Sequence, residues 1–416
     1  MSSQQTSDYE RNRNKWSRGQ TPDDIIEICR RLCGQYLGGI WSEINDGRRR
    51  RPHLTVRRIT GGFTNQMYYC AIDNNSDNKS CRRQLANDTP TEVVVRLYGK
   101  KWIESSGSCV GGGGSDGHNE RLNDIVIYLM ASKRGLGPKQ LAFFADGSIE
   151  QFIKLHTFGL SEQSQDRYVC QLAGLLAQFH AMPVPIARTG DWFRQFVDSQ
   201  LTKANRLFPL ADMFVRLDTK NLMTVDLKKE CQWLHRCLAA VNSPVVFAHN
   251  DFRGANVLVH ELADDDGGGG CDTDGQQSVV DRQLLTLCDF EYSCYGYRGF
   301  DFGAIFEDWG RTETNNIGGN VSDETLRKFM TSYLDESVRI GGMAYREDSM
   351  VNTVDHLVRE AKVFLMAQQM FFIMFCLATE EMPYNKTKDQ ILQRGDQRLG
   401  YYLELKNKYL SEGLIK

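Results

Sequence analysis

The chain has no CxxC pair, and its 12 cysteines do not alternate with histidine at zinc-ligand spacing. That argues against a zinc module. The N-terminal stretch MSSQQTSDYERNRNKWSRGQ lacks the apolar core of a signal peptide. It is polar and mixed in charge, so residues 1–20 are expected to form a disordered tail. Without an export signal, the cysteines are expected as buried free thiols in a reducing cytosol. The formal net charge is only −3, which gives no bulk reason for a nucleic acid or an anionic membrane as partner. The run Arg48, Arg49, Arg50, Arg51 is a local exception and reads as a solvated basic loop. The longest apolar stretch, AKVFLMAQQMFFIMFCLA (Ala361 to Ala378), is interrupted by Lys362, Gln368 and Gln369. It falls short of the ~20 apolar residues a membrane span needs, so it reads as a helix buried on most sides. There is no internal repeat.

What is present fits a globular chain. It has 416 residues, 41% hydrophobic and 25% charged, enough for one large core or two lobes. TPDDIIEICRRLCGQYL reads as a helix, with Thr21 as cap and Pro22 in the first turn. Ile25, Ile28, Cys29, Leu32 and Cys33 make its apolar face. LTVRRI, QMYYCAI and EVVVRLYG read as strands, and LAFFADGSIEQFI as a hairpin turning at Asp146-Gly147. NDIVIYLMASKRGLGP is a helix ended by Gly135 and Pro138. From about Leu160 the pattern is mainly helical. Two Gly- and Asp-rich segments, Cys109 to Gly117 and Asp264 to Gln277, read as inserted surface loops. The expected fold is α+β: a small β-rich N-terminal lobe over 21–153 and a larger, mainly helical C-terminal lobe over 154–416.

The chemistry concentrates in VFAHNDFRGANVLVHE, Val246 to Glu261. Asp251 and Asn256 lie five residues apart on a short loop between apolar runs. The carboxylate accepts a proton from a hydroxyl, and the amide offers a neutral oxygen to a hard cation. Alone, such Asx residues more often bond their own backbone. A second apolar strand, Leu284 to Cys288, then delivers Asp289, Phe290 and Glu291. Strand, D-x-x-x-x-N, strand, loop, strand, D-F is the layout of a kinase catalytic loop and its magnesium-binding loop. Asp251 would orient and deprotonate the accepting hydroxyl, while Asn256 and Asp289 would hold magnesium beside ATP. Glu291 is either a support for the metal shell or a structural ion pair.

Other parts match. In TGGFTN, Gly61 and Gly62 let backbone amides approach phosphate, with Thr64 and Asn65 closing the turn. Arg96 stands in a strand where protein kinases place lysine. IEQFI, with Gln151 and Ile153, would be the hinge against adenine. His249 is expected to shape the loop. His180, at a helix end, is expected as a cation on the helix dipole. Asp301 and Arg298 are expected to stabilise the loop after the metal site.

GGFTNQ, VVVRLYG, GLGP, IEQFI, FHAM, VFAHNDFRGANVL and CDFEYSCYGYRGFDFG together resemble the choline/ethanolamine kinase family, in the family's order and over most of the chain. The resemblance implies a protein-kinase-like fold, ATP and Mg2+ as cofactors, and phosphorylation of choline or ethanolamine early in phosphatidylcholine and phosphatidylethanolamine synthesis. It also implies a common homodimeric habit, with an amino alcohol and ATP as small-molecule partners; a cytoplasmic location and no membrane insertion are expected from the N-terminus and the interrupted apolar run. By position, Asp251 matches the catalytic Asp, Asn256 and Asp289 the metal ligands, and Arg96 the phosphate contact. Asp308, Trp309, Phe371 and Tyr384 fall in the substrate region.

Three departures stand out. Asp124 takes the place of the helix glutamate that pairs with the phosphate-binding arginine, with Glu120 one turn earlier. Ala304 and Ile305 replace the family's Asn and His. Phe371 and Met374 replace a tryptophan pair of the ammonium cage, and Phe is the weaker cation–π partner. YRGFD is closer to the choline branch; the thinned cage pulls toward ethanolamine. The expectation is choline phosphorylation, with ethanolamine as a further acceptor. An ethanolamine-preferring kinase and a catalytically weakened kinase-like binding protein are the alternatives, and an aminoglycoside-type kinase on the same fold is a rival.

Overall fold

The computed structural model describes residues 21–44, 53–59, 65–72, 90–99, 117–260, 284–312, 317–347, 350–380 and 386–416. The chain divides into two compact units. One comprises residues up to Glu104 together with Ala131–Ile153; the other comprises Ser105–Met130 and Lys154–Lys416.

The first unit is built on an antiparallel sheet of strands β1 (Leu54–Ile59), β2 (Gln66–Ile72), β3 (Glu92–Leu97), β4 (Gln140–Phe144) and β5 (Gly147–Gln151). The order across the sheet is β1-β2-β3-β5-β4. Central β3 is buried at every position from Val93 to Leu97, which is why its valines run together instead of alternating with polar residues. Helix α1 (Ile25–Tyr36) buries Ile25, Ile28, Cys29, Leu32 and Cys33. They share one core with Tyr68, Cys70, Val93, Val95 and Ile149. Cys29, Cys33 and Cys70 are buried free thiols, the state expected of cysteines in a chain without an export signal.

Two local expectations are corrected. Helix α1 starts at Ile25, after Asp24, with no side-chain cap. Thr21 and Pro22 precede the helix in a turn closed by Ile25 N–H donating to the Pro22 carbonyl at 3.2 Å. The β4–β5 turn is Ala145-Asp146, because Phe144 already pairs with Gly147. Gly147 belongs to the strand for a steric reason: a Cβ there would lie 2.1 Å from the Arg96 carbonyl oxygen.

Helix α2 (Gly117–Lys133) begins in the second unit, continues into the first from Ala131, and stops where Gly135 takes φ +70°. In the second unit, strands β6 (Leu155–Thr157), β8 (Val257–His260) and β9 (Leu285–Leu287) form one sheet, and β7 (Val245–Ala248) pairs with β10 (Cys294–Tyr297). The main helices are α3 (Asp166–His180), α4 (Trp192–Leu207), α5 (Leu227–Val241), α6 (Arg298–Asp308), α7 (Asp323–Gly341), α8 (Val354–Ala378) and α9 (Lys388–Ser411). Helix α8 is long and apolar enough to cross a membrane by length and composition, but 83% of its apolar window is buried inside the protein. It packs against α4, α5, α6, α7 and α9, which explains its nearly unbroken apolar sequence.

Arg298 differs from its expected role. Its guanidinium is fully buried and donates to Glu360 of α8 from Nε and Nη2, at 3.1 and 3.0 Å. Nη1 donates to Asn352 and Tyr345, and Nη2 also to the Val351 carbonyl. Arg298 therefore ties α6 to α8 and to the segment before α8. A buried charge needs such complete pairing.

Candidate active site

The loop between β7 and β8 is held from several sides. Asp301 of α6 is wholly buried. Its Oδ2 accepts from the His249 N–H and its Oδ1 from the Asn250 N–H, both at 2.7 Å. Two adjacent backbone amides on one carboxylate fix the chain direction just before Asp251. Asn250 has φ 63°, a left-handed conformation that Asx residues tolerate best among non-glycines. Its side-chain amide donates to the Tyr292 carbonyl at 2.9 Å.

His180 also reaches Asp301. Its Nε2 lies 3.0 Å from Oδ2, and its Nδ1 lies 2.9 Å from the Tyr333 hydroxyl. Burial pushes its pKa down, against the pull of Asp301. His180 is thus a buried neutral link among α3, α6 and α7, not a cation stabilised by a helix end. With a carboxylate at Nε2, that nitrogen carries the hydrogen and Nδ1 accepts from Tyr333.

Asp251 and Asn256 meet. The Asn256 amide nitrogen donates to the Asp251 carboxylate Oδ2 at 2.6 Å and to the Asp251 carbonyl at 2.9 Å. Its remaining side-chain donor capacity is spent there, so the amide oxygen is what it has left to offer a ligand. The third residue is brought in by Cys288. The Cys288 N–H donates to the Asn256 carbonyl at 3.0 Å, and its carbonyl accepts from His249 Nε2 at 3.0 Å. The residue before Asp289 is thereby pinned to both ends of the loop. Asp289 itself has φ 63°. Strained Asx backbones on both loops are typical of sites where direction matters more than local stability. Phe290 anchors the second loop in the core, stacked on Phe179 at 5.4 Å and edge-on to Tyr128 at 5.0 Å.

The electrostatics agree with this convergence. The Asp251 carboxyl has its pKa raised, first by burial. Repulsion from Asp289 adds to the rise, while Arg253, His249 and the Asn256 hydrogen bond oppose it. Arg253 Nε stands 3.9 Å from Asp251 Oδ1, too far for a hydrogen bond. His249 shapes the loop as expected: with its hydrogen on Nε2, its Nδ1 faces the Asp251 N–H at 3.4 Å.

Around this centre, Asp308 Oδ2 accepts from the Gly254 N–H at 3.0 Å, and Arg311 lies 3.3 Å from Oδ1. Trp309 is only 5% exposed, with its ring packed between Phe158 and Phe306. Phe371 is half-buried against Phe196 at 4.6 Å and close to Trp192 and Phe300. Met374 is fully buried. Sequence reasoning missed a neighbouring cluster. Buried Arg398 donates to Glu307 at 2.8 Å and Gln369 at 2.9 Å, and its guanidinium lies over the Phe372 ring at 4.1 Å. Helical spacing in RGDQRLGYY hints at an inward arginine; its partners come from two other helices.

In the first unit, Arg96 is buried on β3 and its Nη2 lies 3.4 Å from Glu150 Oε1. Asn65 Oδ1 accepts from the Gly99 N–H at 3.2 Å, tying the residue before β2 to the second residue after β3. Gln151 ends β5 and pairs with Val93. Ile153 is half-buried. Asp124 is buried in the second unit. Gly61, Gly62, Thr64, Tyr384, the Arg48–Arg51 run and nearly all of both Gly-rich segments lie outside the described residues, as does the Glu120 side chain.

The donor set fits a hard divalent cation. Asp289 and Asn256 themselves offer oxygen ligands, which suit magnesium over zinc. Among the described residues no group of three or more His, Cys, Asp or Glu could hold a metal. Magnesium needs no such group, since it keeps waters and takes ligands from phosphates.

A sequence profile described as choline/ethanolamine kinase matches residues 56–403. The chain is 29% identical to mouse choline kinase alpha over 73% of its own length and 64% of that protein's. It is 25% identical to choline kinase A2 of Caenorhabditis elegans, over 87% of this chain and 82% of that one. It is 27% identical to a human choline/ethanolamine kinase, over 67% and 59%. The chain thus spans less than two thirds of the mouse and human relatives. Among solved structures, a choline kinase from Cryptosporidium parvum superposes with a TM-score of 0.62 at 17% identity, covering 93% of this chain and 97% of that one. An ethanolamine kinase from Plasmodium vivax gives 0.60 at 15%, covering 92% and 90%. These likenesses show the fold: protein-kinase-like, with a small antiparallel sheet unit and a helical majority.

Proposed function

Because the chain belongs to the choline/ethanolamine kinase family, we propose that it transfers the terminal phosphoryl group of ATP to the hydroxyl of choline, and also of ethanolamine. This is an early step toward phosphatidylcholine and phosphatidylethanolamine, and we place it in the cytoplasm. The observation that carries the reading is the meeting of Asp251 with Asn256 at 2.6 Å, with Asp289 close enough to raise the Asp251 pKa.

In this reading Asp251 aims the acceptor hydroxyl and takes its proton. A carboxylate with a raised pKa is the stronger base for that task. The Asn256 oxygen and Asp289 would hold magnesium, which when bound neutralises charge on the phosphates. Arg96 meets the phosphates, a duty that Gly61, Gly62, Thr64 and Asn65 share. Gln151 and Ile153 meet the adenine. Asp308 and Phe371, with Tyr384, face the amino alcohol, and Trp309 backs Asp308. The protein acts as a homodimer, by the habit of the family. Asp124, Ala304 and Ile305 motivate a competing reading from another class, a kinase-like protein that binds ATP without turnover.

The test is product formation. Purified protein with magnesium-ATP is offered choline, ethanolamine and an aminoglycoside, and phosphorus NMR identifies the product. Phosphocholine and phosphoethanolamine are expected, and both are lost in Asp289→Ala. Nucleotide binding with no product from either amino alcohol refutes the proposal.

A further inference from the structure

Arg96 lies in the interior of a sheet, 3% exposed, where an uncompensated guanidinium would be costly. Strand register explains its compensation. Arg96 is directly opposite Ser148, and Val94 is opposite Glu150. Arg96 and Glu150 are therefore diagonal neighbours on one face of the sheet, within reach for two long side chains. Arg96 Nη2 stands 3.4 Å from Glu150 Oε1, and both side chains are almost fully buried. The contact is single-point, not the two-pronged clamp of a tight guanidinium–carboxylate pair.

Glu150 is itself held. Its Oε2 accepts from Gln140 Nε2 at 3.0 Å. That nitrogen also donates to the Pro138 carbonyl at 3.3 Å, and the Gln140 N–H donates to Ser132 Oγ at 3.0 Å. A chain of polar contacts thus crosses β4, β5 and β3 and ends on the guanidinium.

We propose that Glu150 is a positioning residue: it aims the Arg96 guanidinium at the nucleotide phosphates, backed by Gln140. This rests on the reading of Arg96 as a phosphate contact. A guanidinium pre-set in direction loses little freedom when phosphate arrives, so its contribution appears in the rate as well as in binding. The alternative duty, plain neutralisation of a buried charge, makes the opposite prediction. Removing the carboxylate would then leave Arg96 more attractive to ATP.

The experiment is Glu150→Gln, which keeps shape and removes charge, assayed with ATP varied at saturating amino alcohol. A fall of about 10- to 100-fold in kcat/KM for ATP is expected, with KM for the amino alcohol within about twofold. Adding Glu150→Gln to Arg96→Gln should cost almost nothing further, because the two act as one unit. Unchanged or tighter ATP usage in Glu150→Gln, or losses that multiply in the double variant, overturns the proposal. Should Glu150→Gln fail to fold, Gln140→Leu is read the same way, with a smaller loss expected and no loss overturning it. Absence of turnover in the wild-type protein counts against the kinase reading instead. In that case magnesium-ADP affinity by calorimetry decides: weaker in Glu150→Gln supports the positioning role, and equal or tighter refutes it.

Discussion

Replacing Asp301 tests the idea that the loop carrying Asp251 is aimed from beneath. Asp301→Ala removes the acceptor of the His249 and Asn250 N–H groups, each at 2.7 Å, and of His180 Nε2 at 3.0 Å. All of these groups are buried. A hydrogen bond to a charged acceptor contributes about 1.5–3 kcal/mol, and a stranded buried donor costs about 1–3 kcal/mol. These effects overlap, so they do not simply add. Removing one member of a buried charged network typically costs about 3–5 kcal/mol, a large part of the ~5–15 kcal/mol that keeps a domain folded. Asp301→Ala should therefore lose about 3–5 kcal/mol in urea unfolding. Asp301→Asn keeps the volume and one oxygen, but turns an NH2 toward N–H donors. It should fold and bind nucleotide, while kcat falls by about 100-fold, the usual cost of ~1 Å of misplacement at a reacting group. A loss below about 1 kcal/mol for the alanine variant, or an unchanged kcat for the asparagine variant, would refute the clamp.

Two more expectations concern the loop and the sheet. The raised pKa of Asp251, caused by burial and then by Asp289, belongs to the protein without magnesium. Carboxyl NMR of the metal-free protein should find Asp251 titrating above the ordinary carboxylate range, and titration at the ordinary value would contradict the environment described. The sign for stability is the reverse of the usual carboxylate case. A pKa higher in the folded state contributes stability that is present below the unfolded value and lost as pH rises through the folded one. Asp251→Asn should thus abolish turnover, bind nucleotide as before, and melt no lower than wild type at pH 7. Gly147→Ala would put a carbon 2.1 Å from the Arg96 carbonyl oxygen. It should destabilise the sheet by about 1–3 kcal/mol and weaken nucleotide binding, measured by thermal melts with and without magnesium-ADP.

Local pattern alone settled a good deal about this chain. The limits of β1 and β2 were legible because Val, Ile and Tyr cluster between turn residues. The burial of α8 was legible because Lys362, Gln368 and Gln369 interrupt its apolar run, although the helix itself proved long enough to span. Asp251 and Asn256 could be paired from the sequence because five residues of one loop keep them within reach. Their relation to Asp289, 33 positions past Asn256 by numbering, needed β8 and β9 to pair and Cys288 to bond both ends of the loop. The clamp by Asp301, the neutral His180, the Arg298–Glu360 pair and the seating of Arg398 on Phe372 were decided only by tertiary structure. Each joins elements far apart in sequence, and a charged residue's spacing does not say which carboxylate will face it once both are buried.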